Sequence, residues 1–138
     1  MFGNHQHKDA GSFQLWYKGP LASDSGIYDL FGTENHKAWT YQTTAHNCLI
    51  VYDPEEPATN FANGINDGGQ VGNLSAATWD GIQKNPDKYH QAQVEGQEID
   101  PENPVKPYYT YLKGNLENAY SDKISEYTRS FMFLDLKD

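Results

Sequence analysis

The segment Ser12-Phe13-Gln14-Leu15-Trp16-Tyr17 places Phe13, Leu15 and Tyr17 at alternate positions. An apolar period of two is typical of a β-strand, because successive side chains of a strand point to opposite faces of a sheet. The dipeptide Gly19-Pro20 follows and predicts a turn. We therefore expect a strand over residues 12–17 that ends at this turn.

Four later segments repeat the same strand-like pattern or composition, and turn-forming residues separate them. They cover residues 43–53, 91–99, 108–113 and 127–136. Short strands divided by turns predict an all-β domain, folded as an antiparallel β-sandwich. Residues 75–89 predict one short helix with Ser75 as its N-cap. Residues 55–73 lack any apolar period, and so long a loop in a compact domain is either functional or disordered.

Length, charge and composition limit the function. The chain has 138 residues, which fits one domain, and its net charge of −9 lacks the basic surface of a nucleic-acid binder. Acidity also disfavours anionic membranes, and we find neither an apolar run near 18 residues nor a signal peptide. The single cysteine, Cys48, excludes an internal disulfide and lies in an apolar run, where a small buried hydrophobe is expected.

Three histidines and nearby carboxylates occur in the order of a metal site. The segments that carry them are Asn4-His5-Gln6-His7-Lys8-Asp9, Asp24 and Thr44-Ala45-His46-Asn47. On an extended strand His5 and His7 would share one face. Three ligands drawn from His and Asp, with one position open, suit a divalent transition ion such as zinc. Taken singly, each histidine is better explained as a surface residue near the N-terminus, whereas the joint pattern favours a metal site.

Both ends of the sequence suggest a fragment. The histidine-rich segment begins only four residues into the chain, and the apolar run Phe131-Met132-Phe133-Leu134 ends four residues from the C-terminus. Natural domains usually protect or cap an edge strand. We therefore expect residues 1–138 to form a single β-sandwich domain that is truncated at both ends.

Several segments together resemble the β-sandwich region of heparinase II/III-like polysaccharide lyases. They are Asn4-His5-Gln6-His7-Lys8-Asp9, residues 21–29, His36, Thr44-Ala45-His46-Asn47, Asn66-Asp67-Gly68-Gly69-Gln70, residues 111–120 and Arg129-Ser130. The resemblance spans nearly the whole chain, and the order and loop context of the segments are specific to the family. They do not identify the substrate.

The resemblance implies a zinc-like site made by His7, Asp24 and His46. Asp24 lies in a loop of short oxygen-bearing side chains and glycine, which can bend its carboxylate toward a site. Asp9 is interpreted as an acceptor that orients one of the imidazoles.

The resemblance also implies a substrate cleft. His5 takes part in catalysis, Asn4 holds the substrate uronate, and Tyr28 and His36 are weaker candidates for a catalytic and a substrate-binding role. For Tyr28 a packing aromatic of the sandwich is an equal alternative.

The implied reaction is β-elimination across C4 and C5 of a uronic acid. The carboxylate must be neutralised, a base must remove the C5 proton, and an acid must protonate the leaving oxygen. The family implies that an N-terminal α/α-toroid, absent from this chain, supplies further catalytic groups, and that the protein is periplasmic or secreted. The substrate would be an acidic polysaccharide, either a glycosaminoglycan or an alginate-like polymer. A domain at −9 would repel a polyanion, so either the local site or the missing domain must supply positive charge. By sequence the nearest cations are Lys8, Lys18, Lys37 and Arg129.

Two alternatives come from other classes of protein. A cupin-like metal enzyme also begins with two alternating histidines, but it requires a glutamate a few residues later, and none occurs here before Glu34. A non-catalytic carbohydrate-binding sandwich would explain the 14% aromatic content without a metal. Metal analysis of the purified protein separates this second alternative from a lyase.

Overall fold

A computed structural model describes residues 6–57, 65–71 and 78–136. Two antiparallel sheets are present. The smaller pairs β1 (Leu15–Trp16) with β2 (Pro20–Ala22), and the larger has the order β3 (Gln93–Ile99), β4 (Tyr109–Asn115), β5 (Thr128–Leu134). The predicted β-rich, antiparallel character is confirmed at this level, whereas the face-to-face sandwich stays a prediction.

The helical segments of the described chain are short. They are a π-helical segment His36–Thr40, a 3₁₀ turn Thr43–Ala45, α1 (Trp79–Lys84), α2 (Pro86–Tyr89) and a 3₁₀ turn Glu117–Ala119. The Thr78 hydroxyl caps α1 by accepting from the Gly81 N–H at 3.1 Å. Ser75, the expected cap, lies outside the described residues. Within the described ranges, every helix falls short of the length and apolarity that crossing a membrane requires.

The three later strand predictions are confirmed, with ends that move by one or two residues. In the register, Leu112 of β4 pairs with Gln97 of β3 on one side and with Phe131 of β5 on the other. The loop between β3 and β4 closes on Asp100, whose carboxylate accepts hydrogen bonds from the Tyr108 and Glu102 N–H groups at 3.1 Å each. These bonds, the Tyr108 one foremost, lower the pKa of Asp100.

The prediction of a strand over residues 43–53 is wrong. Its first residues form a 3₁₀ turn, and the segment that follows pairs with no strand. The Thr43 hydroxyl instead donates to the Lys8 carbonyl and accepts from the Gln70 N–H, each at 2.8 Å. Bonds of this kind, from a side chain to distant backbone, compete with a sheet ladder and here outweigh β-propensity. Likewise, only Leu15–Trp16 of the strand predicted over residues 12–17 is paired.

The interior around the first 71 residues is unusually polar. The buried apolar residues of the described chain are Tyr41, Ala45, Leu116, Ala119 and Tyr120, whereas the buried polar or charged ones are Lys8, His36, Thr40, Gln42, Thr43, His46, Gln70 and Asp100. Polar groups are costly in an interior unless they are hydrogen-bonded. Thr43 and Gln70 make such bonds, whereas both ring nitrogens of His46 lack a hydrogen-bond partner among the described residues.

Arg129 of β5 joins the three-stranded sheet to the N-terminal region. Its guanidinium donates to the Gly11 carbonyl at 2.9 Å and to the Asn47 carbonyl, and it lies 5.2 Å from the centre of the Phe13 ring. A planar group with several donors suits this double contact. The sheet thereby fixes the backbone on both sides of the candidate site, next to Asp9 and next to His46.

Candidate functional site

His7 and His46 lie side by side, with ring centres 5.2 Å apart. Asp9 joins them, because one donor atom from each of the three residues lies within 4.8 Å of the other two. Among the described residues, this is the only group of three or more His, Cys, Asp or Glu side chains with such spacing. The structure therefore brings together two of the three predicted ligands and adds Asp9, which the sequence had assigned to orientation.

Asp24 approaches the same cluster from the other side of His46. Its Oδ1 lies 2.9 Å from Nδ1 of His46, yet neither nitrogen of this buried ring has a well-directed hydrogen bond among the described residues. The contact is thus close but out of line for a hydrogen bond. Asp24 is half-exposed, with 41% of its side chain accessible.

The loop that carries Asp24 is docked by its neighbours. The Ser25 N–H donates to the Ala45 carbonyl at 2.7 Å, and the Ser25 carbonyl accepts from the Trp39 indole N–H at 3.0 Å. Gly26 has φ of +87°, and a Cβ there would lie 2.7 Å from the Trp39 indole nitrogen. Only glycine fits that position, so the Ser-Gly pair sets where the Asp24 carboxylate points.

The cluster fits a zinc-like ion in donor chemistry and spacing. A tetrahedral ion with bonds of about 2.0–2.1 Å holds its donor atoms about 3.3 Å apart. The Asp24 and His46 atoms lie 2.9 Å apart, and the donor atoms of His7, Asp9 and His46 all lie within 4.8 Å of one another. Buried ring nitrogens without partners are costly, and coordination would satisfy one of them. His7 and His46 are common to either ligand set; Asp9 and Asp24 compete for the third place.

The segment that carries His7 lies outside both sheets. Its backbone is fixed by the Lys8 N–H, which donates to the Tyr41 carbonyl at 2.9 Å, and by the Thr43 hydroxyl. The predicted extended strand is therefore not found over residues 6–8. Asn4 and His5 lie outside the described residues, and their roles in substrate binding and catalysis stay predictions.

The surroundings of His7 favour the neutral form of its imidazole. The ring meets the edge of the Tyr41 ring at 5.0 Å and stacks on the Tyr28 ring at 6.3 Å. Burial, with the neighbouring His46 ring next in importance, lowers the pKa of His7, while Asp9 and Asp24 oppose the shift. A neutral ring keeps a lone pair for a cation.

Tyr28 and His36 form a pair, but only Tyr28 is accessible. Tyr28 is 59% exposed, whereas His36 is 1% exposed behind the Tyr28 and Tyr41 rings. The Gly32 N–H donates to Nδ1 of His36 at 3.0 Å, so the neutral ring carries its proton on Nε2, 3.5 Å from the Tyr28 hydroxyl. His36 is therefore buried behind these rings in the described structure, and its role in substrate binding stays a prediction.

The cleft beside the cluster is small. It has a volume of about 160 Å³ and is lined by His7, Asp24, Ser25, Gly26, Ile27, Tyr28, Thr40, Ala45 and His46. Sites for drug-sized ligands usually measure about 300–1,000 Å³. The cleft formed by the described residues is therefore smaller than such sites.

The four cations predicted near the site, Lys8, Lys18, Lys37 and Arg129, are not among the residues that line this cleft. Lys8 is buried, which is the main cause of its lowered pKa, and the carboxylates of Asp67 and Glu56 oppose that shift. Arg129 is engaged by backbone carbonyls, and Lys37 lies 3.8 Å from Glu34. Among the described lining residues the charge is thus carried by Asp24 and any protonated imidazole.

Sequence reasoning missed three residues that shape the site: Tyr41, Thr43 and Gln70. Tyr41 packs on both His7 and His36, and the other two bond to the backbone of residues 8 and 10. Only Gln70 carried a signal, as the last residue of a segment in the family resemblance. Tyr41 and Thr43 lack a distinguishing motif.

One comparison with known proteins gives a match. The family model described as heparinase II/III-like, C-terminal, matches residues 1–91, a range that includes His7, Asp9, Asp24, Tyr28 and His46. No curated protein matches the chain. Because the family match covers well over half of the 138 residues, the chain belongs to the heparinase II/III-like, C-terminal family, a family of polysaccharide lyase domains.

Proposed function

We propose that this chain is the zinc-binding β-rich domain of a lyase that cleaves uronate-containing polysaccharides by β-elimination. The observation that carries the proposal is the cluster of His7, His46 and two carboxylates beside an accessible tyrosine, within the range of the family match. The substrate would be a glycosaminoglycan or an alginate-like polymer, in the periplasm or outside the cell. A helical toroid of the same protein would supply the opposite wall of the cleft.

His7, His46 and Asp24 would hold the metal, with Asp9 orienting an imidazole or replacing Asp24. When bound, a zinc ion would supply fixed positive charge and rigid cross-linking of three separate chain segments. The protein's own contribution is to keep His7 neutral, to deliver Asp24 through the Ser25–Gly26 loop and to exclude water from His46. The metal site would thereby hold the residues beside the substrate in a rigid arrangement.

Tyr28 would exchange a proton with the substrate at its hydroxyl oxygen. In the elimination a base removes the C5 proton, the electron pair forms the C4=C5 double bond, and the C4–O bond breaks while its oxygen takes up a proton. The phenol is exposed beside the cluster, and Nε2 of His36, 3.5 Å from its hydroxyl oxygen, would orient it. His5 would assist either proton transfer, and Asn4 would bind the uronate.

Product formation tests the proposal directly. The complete protein, with its toroid, should release unsaturated uronate from at least one member of a polymer panel, measured by ultraviolet absorbance. Tyr28→Phe should lower kcat by about 10²–10⁴, the usual contribution of one acid–base group, with the melting temperature and zinc content unchanged. Turnover at the wild-type rate in Tyr28→Phe would remove Tyr28 from the mechanism, and no product across the panel would contradict a lyase.

Residues 1–138 by themselves should show no elimination, because the catalytic groups of the opposite wall are missing. The same assay applies, and steady product formation that is lost in His5→Ala would show that the toroid is dispensable.

Trp16 and Tyr17, which are 73% and 66% exposed, favour a second candidate, glycan binding without chemistry. Binding to a uronate polymer in the complete protein without any turnover would support that candidate instead.

A further inference from the structure

Gln70 takes the place of a neighbouring strand for the segment that carries His7 and Asp9. Its amide oxygen accepts from the Ala10 N–H at 2.9 Å, and its amide nitrogen donates to the Ala10 carbonyl at 2.8 Å. Its side chain is 1% exposed, so water does not compete for these bonds. One side chain thus satisfies both backbone groups of the residue that follows Asp9.

Thr43 holds the backbone directly after His7 and also bonds to Gln70. Its hydroxyl is fully buried, donates to the Lys8 carbonyl and accepts from the Gln70 N–H, each at 2.8 Å. The backbone on both sides of Asp9, and directly after His7, is therefore bonded to one connected pair of side chains. The pair comes from segments 35 and 60 residues away.

A compact turn presents Gln70 to the interior. The side-chain oxygens of Asn66 and Asp67 accept from the N–H groups of Gly68 and Gly69 at 3.1 and 2.9 Å. A Cβ on Gly69 would lie 2.4 Å from the Thr43 side chain, so this contact requires glycine. The turn and Thr43 are fitted to each other without space for a larger residue.

We propose that Gln70, with Thr43, is a positioning residue that holds the His7 and Asp9 side chains in the spacing needed for metal binding. The inference rests on the proposed zinc site. Its physical basis is pre-organisation: irregular backbone offers a ligand set only if something outside the segment fixes its path. Residues that hold metal ligands in place usually change metal affinity by about 10- to 100-fold when they are removed.

The test compares zinc affinity and metal-free stability in four proteins. Gln70→Met keeps the volume but removes both bonds to Ala10, and Thr43→Val is nearly isosteric and removes the hydroxyl. Asp100→Ala is the matched control, because Asp100 is also a buried side chain bonded to backbone N–H groups, but in the loop between β3 and β4. Zinc dissociation constants come from competition with a chromophoric chelator, well below each melting temperature.

We expect Gln70→Met and Thr43→Val to weaken zinc binding at least tenfold, and Asp100→Ala to leave it within twofold of the wild type despite a lower melting temperature. Thr43→Val keeps the test decisive if Gln70→Met does not fold. Wild-type zinc affinity in the folded Gln70 or Thr43 variants would overturn the inference and leave the zinc site intact. A wild-type chain without zinc affinity would overturn both the proposed metal and its positioning.

Discussion

The two halves of this molecule are stabilised by different kinds of hydrogen bond. Between residues 6 and 71, backbone segments are joined mainly by buried side chains such as Gln70 and Thr43. Between residues 93 and 134, the backbone pairs with itself over three strands of seven residues each. The family match ends at residue 91, just before β3 begins. The family match therefore covers the irregular half, which holds the candidate site.

This difference separates the residues that set the geometry of the candidate site from the sheet that supplies stability. In the irregular half, the side chains of Thr43 and Gln70 bond to the backbone of residues 8 and 10, so individual residues contribute directly to the geometry of the candidate site. In the sheet, the ladder supplies stability whatever the exposed side chains are, and one face leaves Val94, Leu112 and Phe133 largely exposed. Substitutions should therefore act on function in the first half and weakly in the second.

The largest expected effect is loss of metal from the irregular half. His7→Ala should lower zinc content from about one ion per chain to near zero, because two remaining ligands bind far more weakly. His5→Ala is the natural control, since the family resemblance implies a catalytic role for His5 rather than a place in the metal site. Elemental analysis after dialysis measures both.

Full zinc occupancy in His7→Ala would remove His7 from the ligand set. Equal loss of zinc in both variants would make His5 a ligand as well. In the complete enzyme His5→Ala should also lower kcat by about 10²–10⁴ while the melting temperature stays unchanged.

The next effect concerns the junction between the halves. Arg129→Leu removes the bonds to the Gly11 and Asn47 carbonyls and the stacking on Phe13. We expect the free energy of unfolding to fall by about 2–4 kcal/mol, because two backbone acceptors lose a charged donor. Urea titration measures the loss, and Arg129→Lys, which keeps the charge without the planar fork, should recover only part of it. A loss under about 0.5 kcal/mol in Arg129→Leu would show that the halves do not depend on this contact.

The sequence predicts the structure of the sheet half better than the structure of the irregular half. The strands over residues 91–136 were predictable because period-two patterns and turn residues are local signals. The backbone around His46 was not, because Thr43 bonds to Lys8, 35 residues away, and no local pattern encodes that partner. The prediction of His7, Asp24 and His46 as metal ligands came from the family resemblance. No sequence motif indicated a role for Tyr41.

A smaller effect is expected on the open face of the sheet. Phe133 is 67% exposed, so Phe133→Ser should change the free energy of unfolding by less than about 1 kcal/mol, mostly through β-propensity. Urea titrations at two protein concentrations measure this. A loss above about 2 kcal/mol that depends on concentration would show that the face is buried by self-association, contrary to a scaffold that tolerates substitution.

The smallest effect tests how well the irregular half excludes water at alkaline pH. Burial raises the pKa of the half-buried Cys48 thiol from its ordinary value of 9.0 to about 11. Between these values the unfolded chain has released the thiol proton and the folded chain has not. Because the unfolded state then binds fewer protons, stability is fully present below pH 9 and falls as the pH rises toward 11. The slope cannot exceed about 1.4 kcal/mol per pH unit for one proton, and half-burial makes it smaller.

Cys48→Ala should therefore flatten the loss of stability between pH 8.5 and 10, measured by urea titration at each pH. This window lies below the range in which Tyr120 contributes, since burial raises its pKa to about 12 from an ordinary value of 10.0. Parallel pH profiles for the wild type and Cys48→Ala would mean that water reaches the thiol in the folded state. The hydrogen bonds around residues 8 to 10 would then face competition from water as well, which would weaken the contrast between a side-chain-held half and a ladder-held half.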